Sequence, residues 1–333
     1  MAHSTPFIIC RTLVILVTIL GWTIPSAHSM IILKDQSKKR VSVTSTTSAQ
    51  PRNVRTFGRH RDISSVKQRA RSGSIAGTPF RLHYISAKSI IVVDAVTGKT
   101  LFSRAPDTPR QPASTIKVLT GIIAIDMLRN KERVGVSRKA AKQPRSKVYL
   151  DHRKTYLAND LINAVLLASA NDASVAIAEK IAGSEKSFAK MMTQQARRLG
   201  ANSTICKTAS GLTARGQKTT ARDLAKIFRL AMKNKEFASR MKKTKIHTAD
   251  GKLLRNHNKA LWQIDGALAG KTGYTNAARQ TYVGKFKRGR DEIIVAIMGS
   301  ETMWTDIKKL VSYGFSAKAH TAALSSKTAK NNS

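Results

Sequence analysis

The chain has 333 residues, with 59 Lys+Arg against 19 Asp+Glu and a formal net charge of +40. Hydrophobic residues make up 41%, enough for a real core, which excludes wholesale disorder. Two Cys exclude a disulfide scaffold and a four-Cys zinc site, and 5% aromatics argue against a base-stacking nucleic-acid platform.

The chain opens with Arg11, an apolar run from Thr12 to Trp22, Pro25 and the small-residue pattern Ala27-His28-Ser29. This predicts a signal peptide over 1–29, cleaved after Ser29. The mature protein is then exported, to the periplasm or another extracytoplasmic part of the envelope. The alternative is an uncleaved anchor, although the run is short of the roughly 20 residues that span a bilayer. Cleavage removes Cys10 and leaves Cys206 alone. With no His beside it, Cys206 reads as a buried structural thiol.

Residues 30–80 predict a disordered basic linker. Lys38-Lys39-Arg40, Arg52, Arg55, Arg59, Arg61, Lys67, Arg69 and Arg71 punctuate Ser/Thr-rich sequence with almost no apolar periodicity. Such a segment could hold anionic envelope polymer or lipid, or nucleic acid, or serve only as a solvated spacer. Residues 317–333 read as a polar basic tail without an amphipathic stripe, which argues against a C-terminal membrane foot.

The folded part is 81–316. Ser89–Asp94 is a β-rich apolar run, Thr97-Gly98-Lys99 a turn, and Thr100-Leu101-Phe102 a second strand. Gln280–Phe286 and Glu292–Met298 flank Arg288-Gly289-Arg290-Asp291 as a second hairpin. Between them the apolar periodicity is helical over 114–129, 158–182, 187–199 and 221–234, and a final helix is expected over 305–313. Strands at both ends with helices in the middle predict an α+β domain rather than alternating βαβ units.

Three motifs carry chemistry. In Pro112-Ala-Ser114-Thr-Ile-Lys117, Pro112 and the following apolar run mark a helix start, and the i, i+3 spacing puts Ser114 and Lys117 on one face. A hydroxyl is a weak nucleophile until a base takes its proton, and a neutral amine can be that base if burial or a nearby cation lowers its pKa. Ser-x-x-Lys also occurs at Ser64–Lys67, Ser187–Lys190 and Ser239–Lys242, so spacing alone is weak. The Ser114 match differs in opening a strongly apolar helix, where a Lys needs a reason to be.

The second motif, Ser169-Ala-Asn171, falls in a tight connection between one helical run and another. Ser169 could relay a proton and Asn171 hold an amide, or the pair could simply cap a helix. The third, Lys271-Thr272-Gly273-Tyr274, precedes the strand at 280. Gly270 and Gly273 would let another chain approach an edge strand, with Lys271 and Thr272 meeting a carboxylate. The alternative is an ordinary glycine turn.

In this order the three are no longer independent coincidences. Ser-x-x-Lys, Ser-Asp-Asn and Lys-Thr-Gly together are the signature of class A β-lactamases and penicillin-binding proteins. With Ser-Ala-Asn in the middle, the chain resembles the D-alanyl-D-alanine carboxypeptidases, the low-molecular-mass penicillin-binding proteins. Asp94-Ala-Val-Thr-Gly98-Lys-Thr-Leu101, Ser210-Gly-Leu212, Thr219-Thr-Ala-Arg-Asp223 and Leu310–Phe315 extend the likeness over about 84–316.

The resemblance implies a β-lactamase/transpeptidase-like fold, with an antiparallel sheet built from both chain ends and an inserted helical cluster. It implies serine D-Ala-D-Ala carboxypeptidase action on peptidoglycan stem peptides through an acyl-enzyme, with no metal or cofactor and with β-lactams as covalent inhibitors. Ser114 would attack, Lys117 act as base and Ser169 relay a proton, helped by Asn171. Lys271 and Thr272 would receive the terminal carboxylate, and the N–H groups of Ser114 and Tyr274, beside Gly273, would hold the oxyanion.

Three departures qualify this. No Glu lies between Glu185 and Glu236, where a class A β-lactamase wants one to activate the deacylating water. Gly299-Ser300-Glu301 stands where many relatives carry an Arg, leaving Arg279 as the nearby cation. The chain also stops soon after Phe315, a shorter form resembling relatives that act as D,D-endopeptidases. A non-catalytic, basic envelope-binding protein of the same fold is the second reading. A nucleic-acid protein is disfavoured by the export signal and the few aromatics. His257, between two Asn residues, reads as a polar loop residue.

Overall fold

A computed structural model describes residues 84–331, with side chains to 321. The chain divides into two units, 1–72 and 73–333, and the described residues all belong to the second. The expected signal peptide and basic linker lie outside the described residues.

The described residues start with strands β1 (Ser89–Asp94) and β2 (Thr100–Arg104), followed by a 3-10 turn at Ala113–Ile116 that runs into helix α1 (Lys117–Met127). Next come β3 (Arg133–Gly135), α2 (Arg138–Ala141), β4 (Thr155–Leu157), α3 (Ala158–Leu166), α4 (Asn171–Ala182), α5 (Glu185–Arg198), α6 (Ala221–Ala231) and α7 (Lys235–Lys242). The hairpin β5 (Lys245–His247) and β6 (Leu253–Arg255), the short α8 (Ala260–Gln263), β7 (Ala267–Thr275), β8 (Arg279–Arg288), β9 (Asp291–Ser300) and α9 (Met303–Asn331) complete it.

The main sheet has the order β2-β1-β9-β8-β7, antiparallel throughout. The α+β class and the sheet drawn from both chain ends are as expected. Every residue of β1 is buried because both faces of the strand are covered. Side chains alternate across a strand. Accordingly, Ile91 and Val93 join Ile294, Ala296 and Met298 against the helical cluster of α1, α3–α6. Ile90 and Val92 join Ile293, Val295 and Ile297 against Ile307, Leu310, Val311 and Phe315 of α9. Burying each such side chain contributes about 1.5–3 kcal/mol.

The structure departs from the sequence pattern in three places. The helical run expected over 158–182 is two helices, interrupted at 167–170, where Ser169 takes φ 58°. The last helix does not end near 313 but continues to Asn331 through the polar basic tail. Beyond Gly314 that tail is rich in Ala and Lys, strong helix formers, and contains no Gly or Pro. Lys318, on this extension, binds Asp94 at 2.5 Å and Asp291 at 3.1 Å, fastening it to both sheet hairpins. Finally, α7 and the two small two-stranded sheets, β3–β4 and β5–β6, had no visible pattern, since three-residue strands carry too few alternations to read.

Candidate active site

Ser114 sits in the 3-10 turn that starts α1. The preceding Ala113 has φ 49°, a left-handed conformation that costs a non-glycine residue energy and must be held in place. Thr115 Oγ1 and Thr281 Oγ1 both donate to Pro112 O, at 2.6 and 3.0 Å, tying the turn to β8. Gly211 abuts it from the other side: a Cβ there would lie 2.0 Å from Ala113 O, and its φ is +79°. Gly211→Ala is therefore expected to cost about 2–5 kcal/mol in chemical denaturation and to slow acylation, because the displaced carbonyl adjoins Ser114.

Lys117 opens α1 and is wholly buried. Its Nζ lies 2.9 Å from Ser114 Oγ, 2.7 Å from Asn171 Oδ1 and 2.6 Å from Ser210 O. Asn171 is oriented by its Nδ2, which donates to Pro144 O at 3.0 Å, so Oδ1 must face the amine. Burial first, and then the charge of Lys271, push the Lys117 pKa well down, while Asp172 opposes this. A neutral amine has two N–H bonds and one lone pair. Asn171 Oδ1 and Ser210 O can only accept, so they take both hydrogens. The lone pair is left facing Ser114 Oγ–H, which is the arrangement a general base needs.

Asp172 has a further task. Its carboxylate accepts from Val148 N and Leu150 N at 3.1 Å, pinning the 144–150 loop whose Pro144 carbonyl orients Asn171. Ser169, at the break between α3 and α4, accepts from Lys271 Nζ at 2.9 Å. Lys271 also donates to Thr272 O, and burial alone lowers its pKa to about 7.

Lys271-Thr272-Gly273-Tyr274 lies within β7, at the free edge of the sheet, and not in a turn. The glycines work differently from expectation. A Cβ at Gly273 would lie 2.7 Å from Ser114 N, and one at Gly270 would lie 2.4 Å from Tyr282 Oη. Both make room for the protein's own packing, so β7 can lie against the Ser114 turn.

The three motifs meet in one cleft of about 430 Å³. Ser114, Ser169, Asn171, Thr272, Gly273 and Tyr274 line it, and Lys117 and Lys271 are buried. Sequence reasoning missed Arg145, His257, Gln280 and Trp304 on its walls. His257, expected as a loop residue, faces the cleft, and partial burial with the fields of Lys271 and Lys117 lowers its pKa to about 4. The segment Ser210-Gly-Leu212 offered a signal without a role: it supplies a carbonyl to Lys117 and part of the cleft wall.

Arg279 is not available to a substrate carboxylate. It forms a bidentate pair with Glu301, at 2.9 and 2.6 Å, and stands outside the cleft lining. Among the described residues no Asp or Glu lines the cleft, and no group of three or more His, Cys, Asp or Glu converges to hold a metal ion. Cys206 is buried, as expected, and burial pushes its pKa up to about 12.

A cleft-facing Ser beside a buried Lys at a helix start, a second Ser/Lys pair opposite, and an edge strand beside both define a serine enzyme of the penicillin-binding class. The chain belongs to the D-alanyl-D-alanine carboxypeptidase family, which it matches over residues 75–302. It is 36% identical over 240 residues to the D-alanyl-D-alanine carboxypeptidase DacB2 of Mycobacterium tuberculosis, covering 69% of this chain and 82% of that one. It is 29% identical to DacF of Bacillus subtilis, covering 69% and 62%. Its fold is similar to a crystal structure of a Mycobacterium tuberculosis D-alanyl-D-alanine carboxypeptidase (TM-score 0.67, 33% identity, 72% of this chain and 94% of that one). It is also similar to penicillin-binding protein D2 of Listeria monocytogenes in its cefotaxime-bound form (TM-score 0.64, 27% identity, 70% and 98%).

Proposed function

We propose that the protein is a serine-type D-Ala-D-Ala carboxypeptidase that acts on peptidoglycan stem peptides through an acyl-enzyme. The observation that carries this is the hydrogen-bond arrangement of Lys117, whose lone pair faces Ser114. The substrate's C-terminal segment lies along the edge of β7, with its carboxylate at Lys271 and Thr272. Lys117 takes the Ser114 proton as Oγ attacks the penultimate carbonyl. The N–H groups of Ser114 and Tyr274 stabilise the oxyanion, a contribution of about 3–4 kcal/mol per donor in comparable sites. Ser169, held by Lys271, passes a proton to the leaving amine, and water then hydrolyses the ester. Digesting purified peptidoglycan monomers should release one alanine by mass. Unchanged monomers would refute the reading.

The pH profile tests the two lysines separately. Lys117 acts only when neutral, so kcat/KM rises with pH through its lowered pKa. Lys271 must be charged to receive a carboxylate, so kcat/KM falls as pH passes about 7 in the free enzyme. A bound carboxylate favours the ammonium form, so the falling limb of kcat moves to higher pH than that of kcat/KM. A flat profile would remove both assignments.

β-Lactams fit the same cleft as covalent inhibitors. With no carboxylate on the cleft wall to activate water, the acyl-enzyme they form should persist. The reading places the protein in the periplasm or another extracytoplasmic compartment, supported by the apolar run Thr12–Trp22 and the pattern Ala27-His28-Ser29. The basic residues of 30–80 suit an anionic envelope polymer or lipid there, with retention that weakens as salt rises.

A further inference from the structure

The catalytic cleft continues past Arg145, Ser146 and His257 into a cavity of about 360 Å³ along the 144–150 loop. Asn171 N donates to Ser146 O at 2.7 Å and Asn171 Nδ2 to Pro144 O, so this loop stands against the Asn171 wall of the cleft. Within it Tyr149 has φ 58°, a left-handed conformation that is costly for an aromatic residue, and it is 57% exposed. On either side Val148 and Leu150 are buried, and both of their N–H groups donate to the buried Asp172 carboxylate. The backbone is therefore fixed at 148 and 150, and the strained residue between them holds a large ring outward. Neither the strain nor the exposure stabilises the fold.

Three cations gather on that ring. Lys147 Nζ lies 5.3 Å from its centroid, Lys252 Nζ 5.7 Å and Arg145 Cζ 5.9 Å. Arg145 Nε also donates to Tyr149 Oη at 2.9 Å. Lys252, from the β5–β6 turn, donates to Val148 O, so two distant segments converge here. Among the described residues one other ring has a cation over it, Phe315, and that cation, Arg288, is alone and paired with Asp265. What sets this place apart is the gathering: each cation is drawn to the ring face while repelling the other two. No Asp or Glu among the described residues lines the cavity. An anion placed there relieves the repulsion that the ring imposes.

The proposed function leaves one source for that anion. The substrate's terminal carboxylate goes to Lys271 and Thr272, and the departing residue is a single alanine with no other acid. A second carboxylate that reaches the loop therefore belongs to the retained part of the peptide, upstream of the scissile bond.

We propose that Tyr149 gathers Arg145, Lys147 and Lys252 into a binding site for a carboxylate on the acyl-donor part of the stem peptide, so that the enzyme selects donors with a free acid over their amides. This rests on the acyl-enzyme reading above. The cations bind the acid, and Tyr149 is a positioning residue that keeps them together at the cleft.

The test uses the full chain and matched acetylated pentapeptides ending in D-Ala-D-Ala, with one Glu or one Gln at each of the three upstream positions in turn. At one position or more, the unmodified protein should cleave the Glu peptide about fivefold or more better than the Gln peptide by kcat/KM, a ratio that shrinks as salt rises. Lys147→Ala/Lys252→Ala should bring the ratio to about one, and Lys147→Glu/Lys252→Glu should invert it. Lys186→Ala/Lys190→Ala, which removes equal charge on α5, should leave it unchanged. Tyr149→Gly relieves the left-handed strain, so the ratio should fall toward one while Tm holds. A ratio near one at every position in the unmodified protein would overturn the proposal. So would a ratio that survives both lysine doubles, one that falls equally in the α5 control, or a Tyr149→Gly variant that keeps it. A protein that takes no penicillin and releases no alanine from any of these peptides would instead overturn the peptidase reading, a separate and recognisable failure.

Discussion

Ser114→Ala is expected to abolish covalent labelling by fluorescent penicillin and to lower D-Ala-D-Ala hydrolysis by at least about 10,000-fold. Removing the nucleophile of a serine enzyme leaves only binding and oxyanion stabilisation. The fold should survive. The change deletes one oxygen at a cleft-facing position, and Lys117 keeps Asn171 Oδ1 and Ser210 O as partners. Thr115 and Thr281 still hold the turn through Pro112 O. Unfolding should therefore shift by less than about 1 kcal/mol. Retained labelling would move the nucleophile elsewhere, with Ser169, 2.9 Å from Lys271, as the next candidate.

Lys117→Met should slow acylation by about 100- to 10,000-fold, the usual contribution of a general base. Methionine roughly conserves the volume of the buried stem, so this variant separates chemistry from packing. The change leaves two buried acceptors, Asn171 Oδ1 and Ser210 O, without the amine, each costing about 1–3 kcal/mol. Removing a buried ionisable amine offsets part of that. The decisive readout is the pH profile: the acid limb should vanish because no amine remains to titrate. A retained acid limb would assign the base to another group.

The Lys117 side chain illustrates how far local sequence reaches. Its i, i+3 relation to Ser114 was legible because both lie on one helical turn. The apolar run after it announced burial, and burial is the largest cause of its lowered pKa. Its other two hydrogen-bond partners were not legible as such. Asn171 and Ser210 lie 54 and 93 residues away, and Asn171 presents the correct oxygen only because Pro144 holds its amide. His257 was missed for a similar reason. Between two Asn residues it has the look of a loop, and only the approach of β7 and the α3–α4 connection puts it on the cleft wall. Arg279 erred in the opposite direction: near the third motif in sequence, it is occupied by Glu301.

Composition and short-range pattern were enough for the α+β class, the two sheet hairpins, the helix behind Ser114 and the three motifs. Each depends on periodicity or spacing within a few residues, where backbone geometry alone relates side chains. The chemistry of the site depends on distances between segments far apart in the chain: Ser169 and Lys271 are separated by 102 residues and stand 2.9 Å apart. Folding sets those distances by packing the α3–α4 break and the edge strand β7 around the Ser114 turn. The protonation state of two buried amines follows from that enclosure, since desolvation belongs to a residue's surroundings and not to its place in the sequence.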